Sequence, residues 1–184
     1  MLRVEAWGDG VLPRRTSEKY SLWLVPGGEV YERLASLLDV LSVRHGSPRF
    51  APHVTLLGSI AAPRHEVLQK AAQLAAALRA FPLRLERIDY LDEYFRCLFV
   101  RVALTRPLRD AYRRTCGIFS CGNPHSFMPH LSLLYGNFGP ELKEAVKAEF
   151  GPRLDLAFKA RCLHVYSTQG ETHRWRRVAR FGVE

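Results

Sequence analysis

Apolar and polar positions change period several times along the chain, and each change marks an element. Residues 20–25 (YSLWLV) are aromatic and aliphatic, and Pro26-Gly27-Gly28 ends the run, so a strand is expected. Over 29–43 the apolar side chains Val30, Leu34, Leu37, Leu38 and Leu41 recur at helical spacing, and His45-Gly46-Ser47-Pro48 stops the helix they predict. Residues 50–60, entered through Pro52, predict a second strand. The alanine-rich stretch 63–80, with Val67, Ala71, Leu74 and Leu78 on one stripe, predicts a second helix. Residues 83–91 and 95–104, separated by Asp92-Glu93-Tyr94, predict a hairpin: Leu83, Leu85 and Arg87 alternate with Arg84, Glu86 and Ile88. A helix over 107–119, a loop at Gly122-Asn123-Pro124 and a strand over 129–135 come next. A helix over 139–150 begins near Pro140, where proline is favoured. The remaining stretches, 153–166 and 175–181, each predict one strand.

Consecutive strands joined by hairpins pair antiparallel, so the fold class is α+β and not a doubly wound parallel sheet. No low-complexity linker divides the chain, which is expected to form one domain over 20–184 preceded by an extension, 1–19. The two halves of the element order look alike, which prompts a search for a repeat.

The repeat is Pro52-His53-Val54-Thr55-Leu56-Leu57 against Pro129-His130-Leu131-Ser132-Leu133-Leu134, and 77 residues separate the two histidines. On a strand, residues two apart share a face, so His53 points with Thr55 and His130 points with Ser132. Imidazole exchanges a proton near neutral pH, and a hydroxyl two positions along can hydrogen-bond an oxyanion. Two such strands across a groove would surround one phosphodiester. One histidine would deprotonate water and the other would protonate the leaving oxygen, each transfer contributing about 10²- to 10⁴-fold. The scheme needs no metal and no cofactor. A lone His-x-Thr fits an ordinary hydrogen-bonded strand histidine equally well; two copies flanked alike do not.

These motifs resemble the signature of the two-histidine phosphoesterases, and within them the plant and fungal cyclic phosphodiesterases. The similarity extends to Tyr20-Ser21-Leu22-Trp23, Arg49-Phe50-Ala51, Phe95-Arg96-Cys97-Leu98-Phe99, Phe127-Met128, Tyr135 and Trp175, and so covers most of the chain from Tyr20 onward. The resemblance implies a bilobal α+β fold with two antiparallel sheets and flanking helices around a central cleft. It implies hydrolysis of ADP-ribose 1″,2″-cyclic phosphate, a by-product of tRNA splicing, and of nucleoside 2′,3′-cyclic phosphates to 2′-phosphates. It makes His53 and His130 catalytic, sets Thr55 and Ser132 on the phosphate, and gives Tyr135 an ordering role. We take His130 as base and His53 as acid, although the near-symmetry of the motifs does not itself distinguish them. Trp175, with Phe95 and Phe127, is a candidate for stacking on a base, and at most one of the three is expected to do so. Phe127 departs from the tyrosine of plant members.

Composition narrows the setting. The chain has 184 residues, enough for a core without metals or disulfides, and no run of about 18 apolar residues to span a membrane. The first residues lack the apolar stretch of a secretory signal, so an intracellular, cytoplasmic monomer is expected. Four scattered cysteines do not make a disulfide scaffold, and free thiols are expected at Cys116 and Cys121. A zinc reading of Cys116, Cys121, His125 and His130 fails on its short spacing and on Pro124. His45, His65, His164 and His173 lack a repeated partner and are expected to be structural or exposed. The formal charge is +9, and arginine supplies 22 of 27 cationic residues. That excess suits phosphate, which arginine binds in bidentate fashion, and equally fits codon bias in a chain also rich in Ala, Leu and Gly. Arg174-Trp175-Arg176-Arg177 is expected to line the cleft, steer anions, or form a solvated strand face. Two other readings stay open, and the charge suits the first of them. One is an RNA-end phosphoesterase like the 2′-5′ RNA ligase relatives, and the other is a nucleotide-binding module without catalysis.

Overall fold

The computed structural model describes residues 18–121 and 126–184. The loop expected at 122–124 and nearly all of the expected extension lie outside the described residues. Eight strands and four helices are found among those described: β1 (Lys19–Leu24), α1 (Gly28–His45), β2 (Val54–Ala61), α2 (Arg64–Ala77), β3 (Phe81–Asp89), β4 (Leu98–Val102), α3 (Arg106–Phe119), β5 (His130–Leu134), α4 (Pro140–Phe150), β6 (Ala157–Ala160), β7 (Cys162–Ser167) and β8 (Arg176–Gly182). No helix among them is long and apolar enough to cross a membrane.

The α+β class holds, but the two expected sheets are one. The strand order is β6-β3-β4-β5-β2-β1-β7-β8, antiparallel throughout. The strands carrying the repeat, β2 and β5, pair with each other through Val54 and Leu131, and this seam fuses the halves. Nor do the halves of the sheet coincide with the halves of the chain: β1, β2, β7 and β8 form one, and β3 to β6 the other.

Two element boundaries also differ from expectation. The stretch 153–166 contains two strands, because the buried positions change parity at Arg161: Phe158 and Ala160 precede it, and Leu163 and Val165 come after it. A single residue spans only about 3.5 Å, yet β6 is an edge strand of one half and β7 belongs to the other. The sheet therefore curls until its ends approach, and Val183 N–H donates to Arg161 C=O there. Residues 94–96 form a 3₁₀ turn where a strand start was expected. That turn carries Phe95 and Arg96 to the cleft rim.

Strand alternation divides the faces. Tyr20, Leu22, Leu24, Val54, Leu56, Leu131 and Leu133 are buried in the core, toward which α2 and α3 pack. The intervening residues Ser21, Trp23, His53, Thr55, His130 and Ser132 line a cleft.

Candidate active site

The seam arranges the repeat. Antiparallel pairing of Val54 with Leu131 sets His53 across from Ser132 and Thr55 across from His130, all four on the cleft face. A local two-fold relation thus arises from one residue pair. His53 is the residue before β2 and His130 the first of β5. The cleft is about 760 Å³, the size of a small-molecule site, and both motifs line it.

Each imidazole is held by the same local device. Nδ1 of His53 lies 2.6 Å from the carbonyl of Ala51, and Nδ1 of His130 lies 2.9 Å from that of Met128. A carbonyl only accepts, so Nδ1–H donates in both rings. In the neutral ring Nε2 is then the unprotonated nitrogen, available to take a proton. Each ring also meets an aromatic on the neighbouring strand, diagonally across the ladder. Trp23 opposes Thr55 and stacks on His53 at 3.5 Å and 13°. Phe99 opposes Ser132 and meets His130 edge-on at 5.1 Å.

The two environments are nevertheless unequal. His53 is only 5% exposed, with Trp23 on one face and the edge of Phe50 beyond. Burial lowers its pKa to about 4 against the bond to Ala51, and the nearby His130 adds to the depression. His130 is half-buried, and its pKa is also lowered, first by burial, opposed by the bond to Met128 and reinforced by Arg96 and Arg101. Arg101 is tied to Asp89 at 2.5 Å. Arg96, at the cleft rim, pairs with Glu93 at 2.5 Å.

The hydroxyls differ as well. The Thr55 hydroxyl makes no hydrogen bond to another described residue, whereas that of Ser132 donates to Phe95 C=O at 3.2 Å and lies near the Tyr135 phenol. Tyr135 is buried, stacked on Phe50 at 3.9 Å, and burial pushes its phenol pKa up, so it remains a neutral donor. Its position suits orienting Ser132. Trp175 lines the cleft with its indole N–H on Gly170 C=O at 3.1 Å. Its ring centroid lies 5.9 Å from that of Phe95, which is 52% exposed. Phe127 instead stacks on Tyr112 at 3.9 Å and 6° and does not line the cleft.

Of the other residues weighed, Cys116 and Cys121 are free thiols, and His125 lies outside the described residues. His164 is buried with Nδ1 unpartnered, its pKa lowered to about 4 by burial, then by Arg177 and Arg180. Sequence reasoning missed Trp23, Arg96, Ser21 and Thr168 as cleft residues. Trp23 was visible as the aromatic inside a strand, but its stacking partner depends on register. Arg176 and Arg177 do not line this cleft and border a neighbouring slot.

The profile of the 2′-5′ RNA ligase superfamily matches residues 30–172. The chain is 30% identical over 125 residues to the cyclic phosphodiesterase of Arabidopsis thaliana, covering 68% of this chain and 69% of that protein. Among solved structures, E. coli LigT complexed with 3′-AMP superposes with a TM-score of 0.61 at 14% identity, over 91% of this chain and 98% of LigT. Kluyveromyces marxianus Usb1 gives 0.52 at 15% identity, over 89% and 98%. At those identities the structural likenesses speak to the fold alone.

Proposed function

Because the chain belongs to the 2′-5′ RNA ligase superfamily of two-histidine phosphoesterases, we propose that it hydrolyses ribose cyclic phosphodiesters, with His53 and His130 as proton-transfer groups. The observation that carries this reading is the pair of imidazoles, each fixed through Nδ1 on a backbone carbonyl, in one cleft with Thr55 and Ser132. The activity borne by the name of the Arabidopsis relative supports the same substrate class.

The phosphate sits between the strands, its non-bridging oxygens accepting from Thr55 and Ser132. Ser132 has one proton to donate, so it leaves Phe95 C=O to do so; that bond is long at 3.2 Å. One imidazole takes a proton from water through Nε2 as the water oxygen bonds phosphorus. The phosphorus–oxygen bond to one ribose oxygen breaks, and the other imidazole, protonated, gives that oxygen its proton. A 2′,3′-cyclic phosphate leaves as the 2′-phosphate, and the two rings exchange their protons with solvent to reset. Tyr135 acts as a positioning residue through Ser132. Phe95 and Trp175 offer the base an aromatic wall.

Burial supports one assignment of the roles. A single proton shared by the pair resides on the ring with the higher pKa. His53 is the more deeply buried and is lowered to about 4, so it stays neutral and serves as base. His130, the less deeply buried of the two and closer to solvent, is then the acid. This proposal is the opposite of the assignment taken from the motifs, His130 as base and His53 as acid.

Turnover of adenosine 2′,3′-cyclic phosphate and of ADP-ribose 1″,2″-cyclic phosphate in EDTA tests the reading. His53→Ala and His130→Ala are each expected to lose about 10²- to 10⁴-fold. Wild-type inactivity on both substrates, or an active histidine variant, refutes it. A cyclic phosphorothiolate, whose sulfur leaves without a proton, is expected to restore His130→Ala and not His53→Ala; the opposite pattern reverses the roles.

A further inference from the structure

A second concavity of about 470 Å³ adjoins the cleft and shares Trp23 and Trp175 with it. Arg49, Arg176 and Arg177 line it, and Tyr166 forms part of its wall. Arg49 stands four residues before His53, on the segment whose Ala51 carbonyl holds that ring. Arg176 and Arg177 enter from the start of β8, across from Ser167 and Tyr166.

The slot carries three arginines against one lining carboxylate, Asp39. Arg176 and Arg177 make no salt bridge or side-chain hydrogen bond with any described residue. Arg49 meets only Asp39, at 3.6 Å, with both side chains mostly exposed. A solvated strand face would spread such residues over a convex surface. Here Arg177, on the face of Tyr166, and Arg49 line a concavity with aromatic walls that adjoins the phosphate cleft, and Arg176 borders it from the next position of the strand. Arginine forks in that setting match phosphate oxygens in number and geometry.

We propose that this slot binds a second phosphate of the substrate, the one on O5′ of the ribose whose cyclic phosphate reacts. The inference rests on the hydrolase reading and names its substrate class. A ribose bearing a cyclic phosphate has one other primary oxygen through which the molecule continues, its O5′. In an RNA end the group there is an internucleotide diester, in an ADP-ribose cyclic phosphate it is a pyrophosphate, and in a 5′-phosphorylated nucleotide it is a monoester. All three present phosphate oxygens on the O5′ side of the same ribose, a few bonds from the reacting phosphorus. The slot is large enough to hold that phosphate and part of the group attached beyond it.

Binding of product analogues tests the inference without needing turnover. Adenosine 2′-phosphate and adenosine 2′,5′-bisphosphate are titrated calorimetrically against the wild type and against Arg176→Ala/Arg177→Ala. The bisphosphate is expected to bind the wild type roughly ten- to a hundredfold more tightly, the range for hydrogen bonds to a charged group. The double variant is expected to close that gap, and Arg177→Lys to close it only partly. Unfolding midpoints establish that the variants are folded. Equal affinities for the two ligands, no binding of the bisphosphate, or a gap that survives the double substitution overturns the inference. Turnover of adenosine 2′,3′-cyclic phosphate by the wild type, measured in parallel, separates the two readings. Hydrolysis without a bisphosphate preference removes the slot alone, and a preference without hydrolysis removes the hydrolase reading alone. With the preference established, relative kcat/KM for 5′-monoester, dinucleotide and ADP-ribose cyclic phosphates identifies the source of the second phosphate.

Discussion

Trp23 stacks on His53, and replacing it tests how much of the lowered His53 pKa comes from the burial this ring provides. The indole lies 3.5 Å from the imidazole and nearly parallel to it, so it seals one of the ring's two faces. Burial lowers the His53 pKa from 6.5 to about 4. Trp23→Leu keeps an apolar strand residue but admits water to that face, and should return roughly half of the shift, about one unit. The variant should lose a few kcal/mol of stability by truncating a buried aromatic, so denaturant unfolding must first show that it is folded. Imidazole carbon–proton NMR signals, assigned with His53→Gln, then report the titration directly. The sign is fixed: His53 acts as base only when neutral, and a higher pKa protonates it sooner on acidification. Activity of the variant relative to wild type should fall roughly threefold more at pH 4.5 than at pH 7.5, because the neutral fraction drops from about three-quarters to about one-quarter. A His53 pKa that stays at its wild-type value in the folded variant refutes the desolvation argument. A raised pKa with an unmoved acid limb of kcat/KM refutes the base assignment.

Two further outcomes are expected. His53 and His164 both have folded-state pKa values of about 4, below the unfolded value of 6.5. The unfolded chain therefore binds more protons between those values. Stability is full above pH 6.5 and is lost as pH falls toward 4, by roughly 3 kcal/mol for each ring. Urea unfolding from pH 7.5 to 4 should show this, and His164→Gln should flatten the slope by about half; an unchanged slope excludes His164 as a contributor. Thr55→Val and Ser132→Ala each remove one hydroxyl donor to the phosphate. Each should lower kcat by about 10²- to 10³-fold with little change in unfolding midpoint, whereas a loss under threefold removes that hydroxyl from the phosphate site.

The sequence made legible whatever depends on period. Helical spacing marked α1 and α2, and alternation assigned His53, Thr55, His130 and Ser132 to a common side of their strands. Period says which face a residue takes and nothing about which strand lies beside it. The fusion of the halves rests on the single pair Val54–Leu131, so it left no trace in hydropathy. The stack of Trp23 on His53 needs the β1–β2 register, which is itself shifted by irregularities between Tyr20 and Trp23. The split of 153–166 was present as a parity change at Arg161, masked by apolar residues on both sides of it. Likewise Trp175 and Arg176 read as one basic cluster, yet the indole lines both concavities while Arg176 belongs to the slot alone.

The discontinuous half of the sheet has a consequence for how the molecule is assembled. The half that carries His53 draws β1 and β2 from early in the chain and β7 and β8 from its far end. Trp23, which stacks on His53, is paired on β1 with His164 of β7 and packs on Tyr166. The half that carries His130 is local by comparison, closed by β3 to β6. Long loops must therefore be closed before the first half is complete, and pairings of that separation form slowly. In synthesis or refolding, the His130 side can organise while the His53 side still waits for its last strands. Recovery of activity in a refolding experiment then times the docking of the C-terminal strands, more closely than a far-ultraviolet signal, which the four helices dominate early.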